Sequence, residues 1–180
     1  MRCRLVARDY KDGADPDLYA GTPPLEALKL ILSRAATGTR TKCIMVNDVS
    51  RAYLHAPCRA QVFVQRCAED LNHWYGDPAI DNAAPGATCW RLRRSMYGTR
   101  LAAQDWQAEV TKTLEGIGFT RSRASPNTFW HKARDIWTFC HGDDFASCAE
   151  PENLSWLYDR LQEKWLMKSQ VLGPKPGDCR

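Results

Sequence analysis

The spacing of apolar positions changes period several times along this chain. After Pro23 and Pro24, residues Leu25, Leu28, Ile31, Leu32 and Ala35 recur at helical spacing, and Gly38 is placed to end that helix. Residues 43–49 form a short apolar run that predicts a buried strand carrying a carboxylate, Asp48, near its end. Residues 61–64 and 88–92 are further strand candidates, and the Asn-, Asp-, Gly- and Pro-bearing stretch 69–87 reads as a surface loop. A helix is predicted over 101–116, with Trp106, Val110, Leu114 and Ile117 inward. Residues 127–130 and 135–140 predict paired strands, and Gly142-Asp143-Asp144 a turn leading into Phe145-Ala146-Ser147-Cys148. Leu154, Leu157, Tyr158, Leu161 and Trp165 predict a last helix entered near Pro151. This mixed order predicts an α+β fold with an antiparallel sheet.

At 180 residues the chain suits one domain that buries a core without disulfides or metals. No apolar run reaches the roughly 20 residues of a membrane helix, and residues 1–8 lack the apolar stretch of a secretory signal. A cytoplasmic or nuclear setting with no membrane partner is expected. None of the eight cysteines forms a C-x-x-C pair, which argues against a zinc site. Most of them are expected to be small buried hydrophobes rather than part of a disulfide framework. The net charge of +4 is mildly basic, with clusters at Arg2, Arg4, Arg8, Lys11 and at Arg91, Arg93, Arg94, Arg100. Such clusters are either solvated faces or phosphate contacts.

Chemistry centres on two acidic spots. Asp48 ends a buried run, and Asp143-Asp144 occupy a tight turn between strand-like segments. If those strands lie side by side, three carboxylates converge at one sheet edge. Such a cluster repels itself, and Mg²⁺ relieves it, taking hard oxygen ligands while keeping waters for substrate phosphates. Read alone, Gly142-Asp143-Asp144 is better taken as an ordinary β-turn and Asp48 as a strand terminus.

The neighbouring residues make the pattern specific. Asp48-Val49-Ser50-Arg51-Ala52-Tyr53-Leu54 resembles the motif D-V-x-x-A-F/Y-L of copia-type retrotransposon reverse transcriptases, and Cys140-His141-Gly142-Asp143-Asp144-Phe145 resembles their Y-V-D-D-L hairpin. Residues 92–100, Leu-Arg-Arg-Ser-Met-Tyr-Gly-Thr-Arg, resemble L-K-K-A-L-Y-G-L-K, followed by Ala102 and Trp106 at matching spacing. Arg4-Leu5-Val6-Ala7-Arg8 matches R-L-V-A-R, residues 119–129 resemble G-F-x-x-S-x-x-D-P-x-x-F, and Val171-Leu172-Gly173 is similar to D-L-G. The segments come in the family's order over nearly the whole chain.

This resemblance to the reverse transcriptase domain of a Gag-Pol polyprotein implies a right-hand polymerase core over residues 1–170. The palm, an antiparallel sheet backed by helices, would span roughly 22–56 and 101–170, the fingers roughly 1–21 and 57–100, and 171–180 an exposed tail. It implies RNA-directed DNA polymerase activity, with dNTPs and a primed RNA or DNA template as partners. Asp48, Asp143 and Asp144, with the Val49 backbone, would hold two Mg²⁺ ions as the catalytic site. Tyr53 would be the steric gate against a ribose 2′-hydroxyl, or else a core aromatic. Arg4 and Arg8 would clamp the triphosphate, with Ala52 and Leu101 also at the nucleotide, and Tyr97, Gly98, Arg100, His141 and Gly142 would meet template and primer.

The chain departs from the family's Q-A-P-R-A-W at Leu101-Ala102-Ala103-Gln104-Asp105-Trp106, and His141-Gly142 stand where Tyr-Val is usual. Losing the glutamine's polar contact is expected to weaken nucleotide binding by about 1–3 kcal/mol. Thumb, RNase H, integrase and protease segments are not in the sequence, so a truncated or degenerate copy is expected. The rival expectations are an inactive nucleic-acid-binding remnant of the same fold and an unrelated Mg²⁺-dependent phosphohydrolase.

Overall fold

A computed structural model describes residues 6–10, 20–21, 24–37, 42–65, 76, 78 and 89–173. Its α-helices described end to end are α1 (Leu25–Ala36), α2 (Ala102–Gly116) and α3 (Pro151–Gln162). The strands are β1 (Cys43–Val49), β2 (Phe63–Gln65), β3 (Cys89–Arg91), β4 (Thr120–Arg121), β5 (Thr128–His131), β6 (Ile136–His141), β7 (Asp144–Ala149) and β8 (Met167–Leu172). Among the described residues β4-β5-β6-β7-β1-β8 form one sheet, antiparallel throughout, and β2-β3 a separate ribbon. The expected α+β class with an antiparallel sheet is what forms.

The two faces of the sheet are covered differently, because strand side chains alternate. One face carries Met45 and Val49 of β1, Phe145 and Ala149 of β7, Ile136 and Cys140 of β6, and Phe129 of β5. Trp106, Val110 and Leu114 of α2 and Leu154, Leu157 and Leu161 of α3 close over it in one core. The opposite face is only partly covered, by α1, which packs on β7, β6 and β1 through buried Ala27 and Ile31. Arg34 fixes α1 there, donating to both Asp135 carboxylate oxygens (2.9 and 3.1 Å) and lying 5.0 Å over the Trp137 ring. The predicted α1 stripe is therefore only half used. Leu25 and Leu32 are 61% and 48% exposed, since the helix rests on a narrow strip of sheet. Gly38 lies outside the described residues, and α1 ends at Thr37, whose N–H and hydroxyl both donate to the Ser33 carbonyl.

Other expectations shift by a few residues. The strands predicted over 61–64 and 88–92 form at Phe63–Gln65 and Cys89–Arg91. Their ladder continues through Leu92 N to Val62 O (2.9 Å), Cys58 N to Arg93 O (3.1 Å) and Ser95 N to Ala56 O (2.9 Å). The last helix stops at Gln162; Trp165 follows it, yet is buried against Trp106 and Phe145. β8 is a strand that the periodicity did not predict, and it takes in Val171 and Leu172, which were assigned to the tail. As an edge strand it buries only Met167 well, so no period-2 signal shows in its sequence. Cys43, Cys140 and Cys148 are buried as expected, and burial pushes the Cys140 thiol up to about 12. Cys89 is exposed and Cys58 half-buried, because both lie on the thinly covered ladder beside β2. Cys3, Cys67 and Cys179, and most of the 69–87 loop, lie outside the described residues.

Candidate active site

The register of β1 brings Asp48 directly opposite Asp144 on β7. Directly opposed residues in antiparallel strands have Cα atoms roughly 4.5–5.5 Å apart, with side chains on the same face. Asp143 sits between β6 and β7 in the turn, where Gly142 takes φ +61°. Its carbonyl accepts from the Val49 N–H at 2.9 Å, so the turn is tied to the end of β1. Both Asp48 and Asp144 are exposed and Asp143 is half-exposed, on the face that α1 leaves open.

The same row extends to either side. His141 is the partner of Asp144 on β6, and Lys168 the partner of Asp48 on β8. Burial, then the charges of Asp143 and Asp48, hold the Asp144 carboxyl above the usual range, and His141 partly offsets them. Desolvation leads, and the neighbouring carboxylates add to it. The donor set is all hard oxygen, the kind that Mg²⁺ takes. Among the described residues no three His, Cys, Asp or Glu side chains are already drawn into a metal-holding group. The carboxylates share a face without being closed around a point.

Behind the turn lies a cavity of about 210 Å³ lined by Tyr53, Trp106, Gln107, Asn127, His141 and Gly142, among others. Trp106, 2% exposed, donates its indole N–H to the Gly142 carbonyl at 2.6 Å. Gln107 of α2 donates to the Asn127 side-chain carbonyl, and Asn127 donates to the Gly21 carbonyl, closing the far wall.

Tyr53 lies in a 3₁₀ turn (Ala52–His55) that follows Arg51, a residue at φ +58°. Its ring is half-buried, 4.7 Å from the Tyr97 ring, and burial and then the Asp143 charge raise its pKa. Ala52 is fully buried in the core. Leu101 is half-buried at the N-cap of α2, which has no side-chain cap. Tyr97, Gly98 and Arg100 form the turn on which residues 6–10 dock: Ala7 N–H donates to Tyr97 O (2.8 Å), and Arg100 N–H to Asp9 Oδ2 (2.8 Å). Gly98, at φ +88°, has the Ala7 carbonyl oxygen only 2.0 Å from where a Cβ would stand, so its glycine serves close chain approach. Arg8 is exposed beside this turn, while Arg4 lies outside the described residues.

Sequence reasoning missed three residues. Lys168 sits on the unpredicted strand, so its place beside Asp48 has no local signal. The Trp106 side chain reads from the sequence as core alone, although a buried indole N–H usually finds an acceptor. Asp105, 2% exposed, accepts from Arg59 Nε (2.6 Å) and Ser95 Oγ (2.7 Å), joining α2 to both segments of the β2–β3 ladder. Its apolar neighbours in a helix could have flagged a paired buried charge.

A family model described as reverse transcriptase (RNA-dependent DNA polymerase) matches residues 1–167. The chain is also 25% identical over 173 residues to the retrovirus-related Pol polyprotein from transposon RE1 of Arabidopsis thaliana. That match covers 93% of this chain and 11% of the relative, so the chain spans about a tenth of that polyprotein's length. With the family's match running over nearly all of the sheet and helices described above, the chain belongs to the reverse transcriptase (RNA-dependent DNA polymerase) family.

Proposed function

We propose that this chain is the fingers-and-palm core of an RNA-directed DNA polymerase, transferring nucleotides from dNTPs to the 3′-hydroxyl of a primer on an RNA or DNA template. The observation that carries the reading is Asp48 opposite Asp144 on the open face of the sheet, with Asp143 in the adjoining turn. On this reading the six-stranded sheet with α2 and α3 is the palm, and the β2–β3 ladder with the segment around residues 6–10 belongs to the fingers. The remaining modules of a Pol polyprotein would be partners supplied elsewhere.

Asp48, Asp143 and Asp144, with the Val49 backbone, would hold two Mg²⁺ ions. Bound there, the ions would neutralise charge on the triphosphate and stabilise the attacking and leaving oxygens. The protein's own part is positioning and electrostatic organisation. The β1–β7 register holds Asp48 and Asp144 side by side before any substrate arrives. The Tyr53 ring, propped by Tyr97, stands beside the turn where a ribose 2′-hydroxyl would crowd it. Arg8, and Arg4 with it, would offer paired donors to triphosphate oxygens. Gly98, Arg100, His141 and Gly142 would border template and primer.

One observation favours a second reading, an inactive nucleic-acid-binding relative of the fold. Leu101 places an apolar side chain at the entrance of α2, where the family's run has a glutamine. Primer extension on an RNA template with Mg²⁺ and dNTPs, beside the Asp143→Asn variant, separates the two. Extension by the parent chain and none by the variant is the expected result. Template binding that persists in EDTA, with no incorporation by either protein, would instead establish the second reading.

A further inference from the structure

The turn that carries Asp143 has no side chain at position 142. Gly142 stands where the family's motif has valine, and a Cβ built there would meet nothing within 4 Å. Its φ of +61° is a conformation that strand packing does not enforce. The β6–β7 ladder closes the hairpin at His141 and Asp144, and beyond it two hydrogen bonds reach the turn residues themselves. One is Val49 N–H to Asp143 O at 2.9 Å, an extension of the β1–β7 ladder. The other comes from the helix layer beneath: Trp106 Nε1–H to Gly142 O at 2.6 Å.

The donor is itself rigidly held. Trp106 is 2% exposed, its ring 4.8 Å from that of Trp165, which in turn lies 6.0 Å from Phe145, the residue after Asp144. The segment carrying Trp165 is also tied to β1's end, since Ser50 N–H donates to Leu166 O at 2.8 Å. A ring in such a cage cannot swing, so its N–H direction is set by the core. Resting on the carboxylate reading above, we propose that Trp106 is a positioning residue: its indole N–H holds the Gly142 carbonyl, and so places the turn residue Asp143 against the Asp48–Asp144 pair for divalent-cation binding. Trp106 touches no reacting atom. It acts through the turn.

The test replaces the donor while keeping the ring. In Trp106→Phe, and in a chain carrying the isosteric benzothienylalanine at position 106, the N–H is gone and most packing stays. Mn²⁺ binding to the folded proteins, followed by electron paramagnetic resonance, is compared with that of the parent chain and of Asp143→Asn. The expected result is an affinity roughly three- to tenfold weaker in both Trp106 variants, the scale of one neutral hydrogen bond. In primer extension the Mg²⁺ concentration for half-maximal rate rises by a similar factor, while the KM for dNTP moves less. A merely structural role would lower the melting temperature and leave metal affinity in the folded protein untouched. Affinities within twofold of the parent's in the benzothienylalanine protein overturn the inference and spare the carboxylate reading. If the parent chain binds Mn²⁺ no better than Asp143→Asn, the carboxylate reading fails, and the inference with it.

Discussion

Removing the Asp105 carboxylate probes how α2 is joined to the segments of the β2–β3 ladder. Asp105→Ala deletes a side chain that is 1% exposed and bonded to Arg59 and Ser95. The Ser95 residue is 0% exposed, so its hydroxyl would be left buried without this partner, at a cost of about 1–3 kcal/mol. The Arg59 side chain is 56% exposed and returns to water, so its share is only about 0–1 kcal/mol. Asp105 is also the acidic residue in the first turn of α2, a helix without a side-chain N-cap, which adds roughly 0.3–1 kcal/mol. Together these give a loss of about 2–4 kcal/mol, or a melting temperature lower by roughly 5–15 °C for a chain of this length. Circular-dichroism melts and urea titrations measure it. A double-mutant cycle then apportions it: coupling between Asp105 and Ser95 should exceed that between Asp105 and Arg59. A loss below about 0.5 kcal/mol, or the reverse order of couplings, would refute the ranking of buried hydroxyl over exposed guanidinium.

Two further perturbations follow from the site's geometry. Burial and the charges of Asp143 and Asp48 raise the folded pKa of Asp144, so the fold binds that proton more tightly than the unfolded chain does. The group's stabilising contribution is present at acid pH and lost as pH rises from the ordinary value of 3.8 through the raised one. Asp144→Asn should therefore raise the melting temperature at pH 7 relative to the parent and flatten its fall above pH 4; an unchanged or lower value at pH 7 would contradict the sign. Gly98→Ala puts a Cβ 2.0 Å from the Ala7 carbonyl oxygen at φ +88°, a conformation costing a non-glycine residue about 1–3 kcal/mol. Residues 6–10 should lift away and break the 2.8 Å bond from Ala7 N to Tyr97 O, so trypsin should cut after Arg8 faster; an unchanged cleavage rate would mean that the segment docks by other contacts.

Strands β1 and β6 and helices α2 and α3 are legible in the sequence, because each buries a regular face and so repeats its apolar residues at the matching period, while β5 and β7 show as short apolar runs beside the turn. The hairpin was legible too: Gly142-Asp143-Asp144 between apolar runs carries its own turn chemistry. The motif around Asp48 and that around Asp143 named the carboxylates as a set, although 95 positions separate Asp48 from Asp143. What no local pattern held was register. Only the antiparallel pairing of β1 with both β7 and β8 decides that Asp144 faces Asp48 and that Lys168 stands on its other side. A one-residue slip would send every one of these side chains to the opposite face. β8 itself escaped because an edge strand with one well-buried residue has no period to read. Likewise, the Asp105–Arg59–Ser95 triad and the Trp106 grip on Gly142 join residues 10 to 46 positions apart, and such contacts come into being when the layers pack. Periodicity is written into a chain by the face it buries, whereas a contact between faces exists only once the layers have closed.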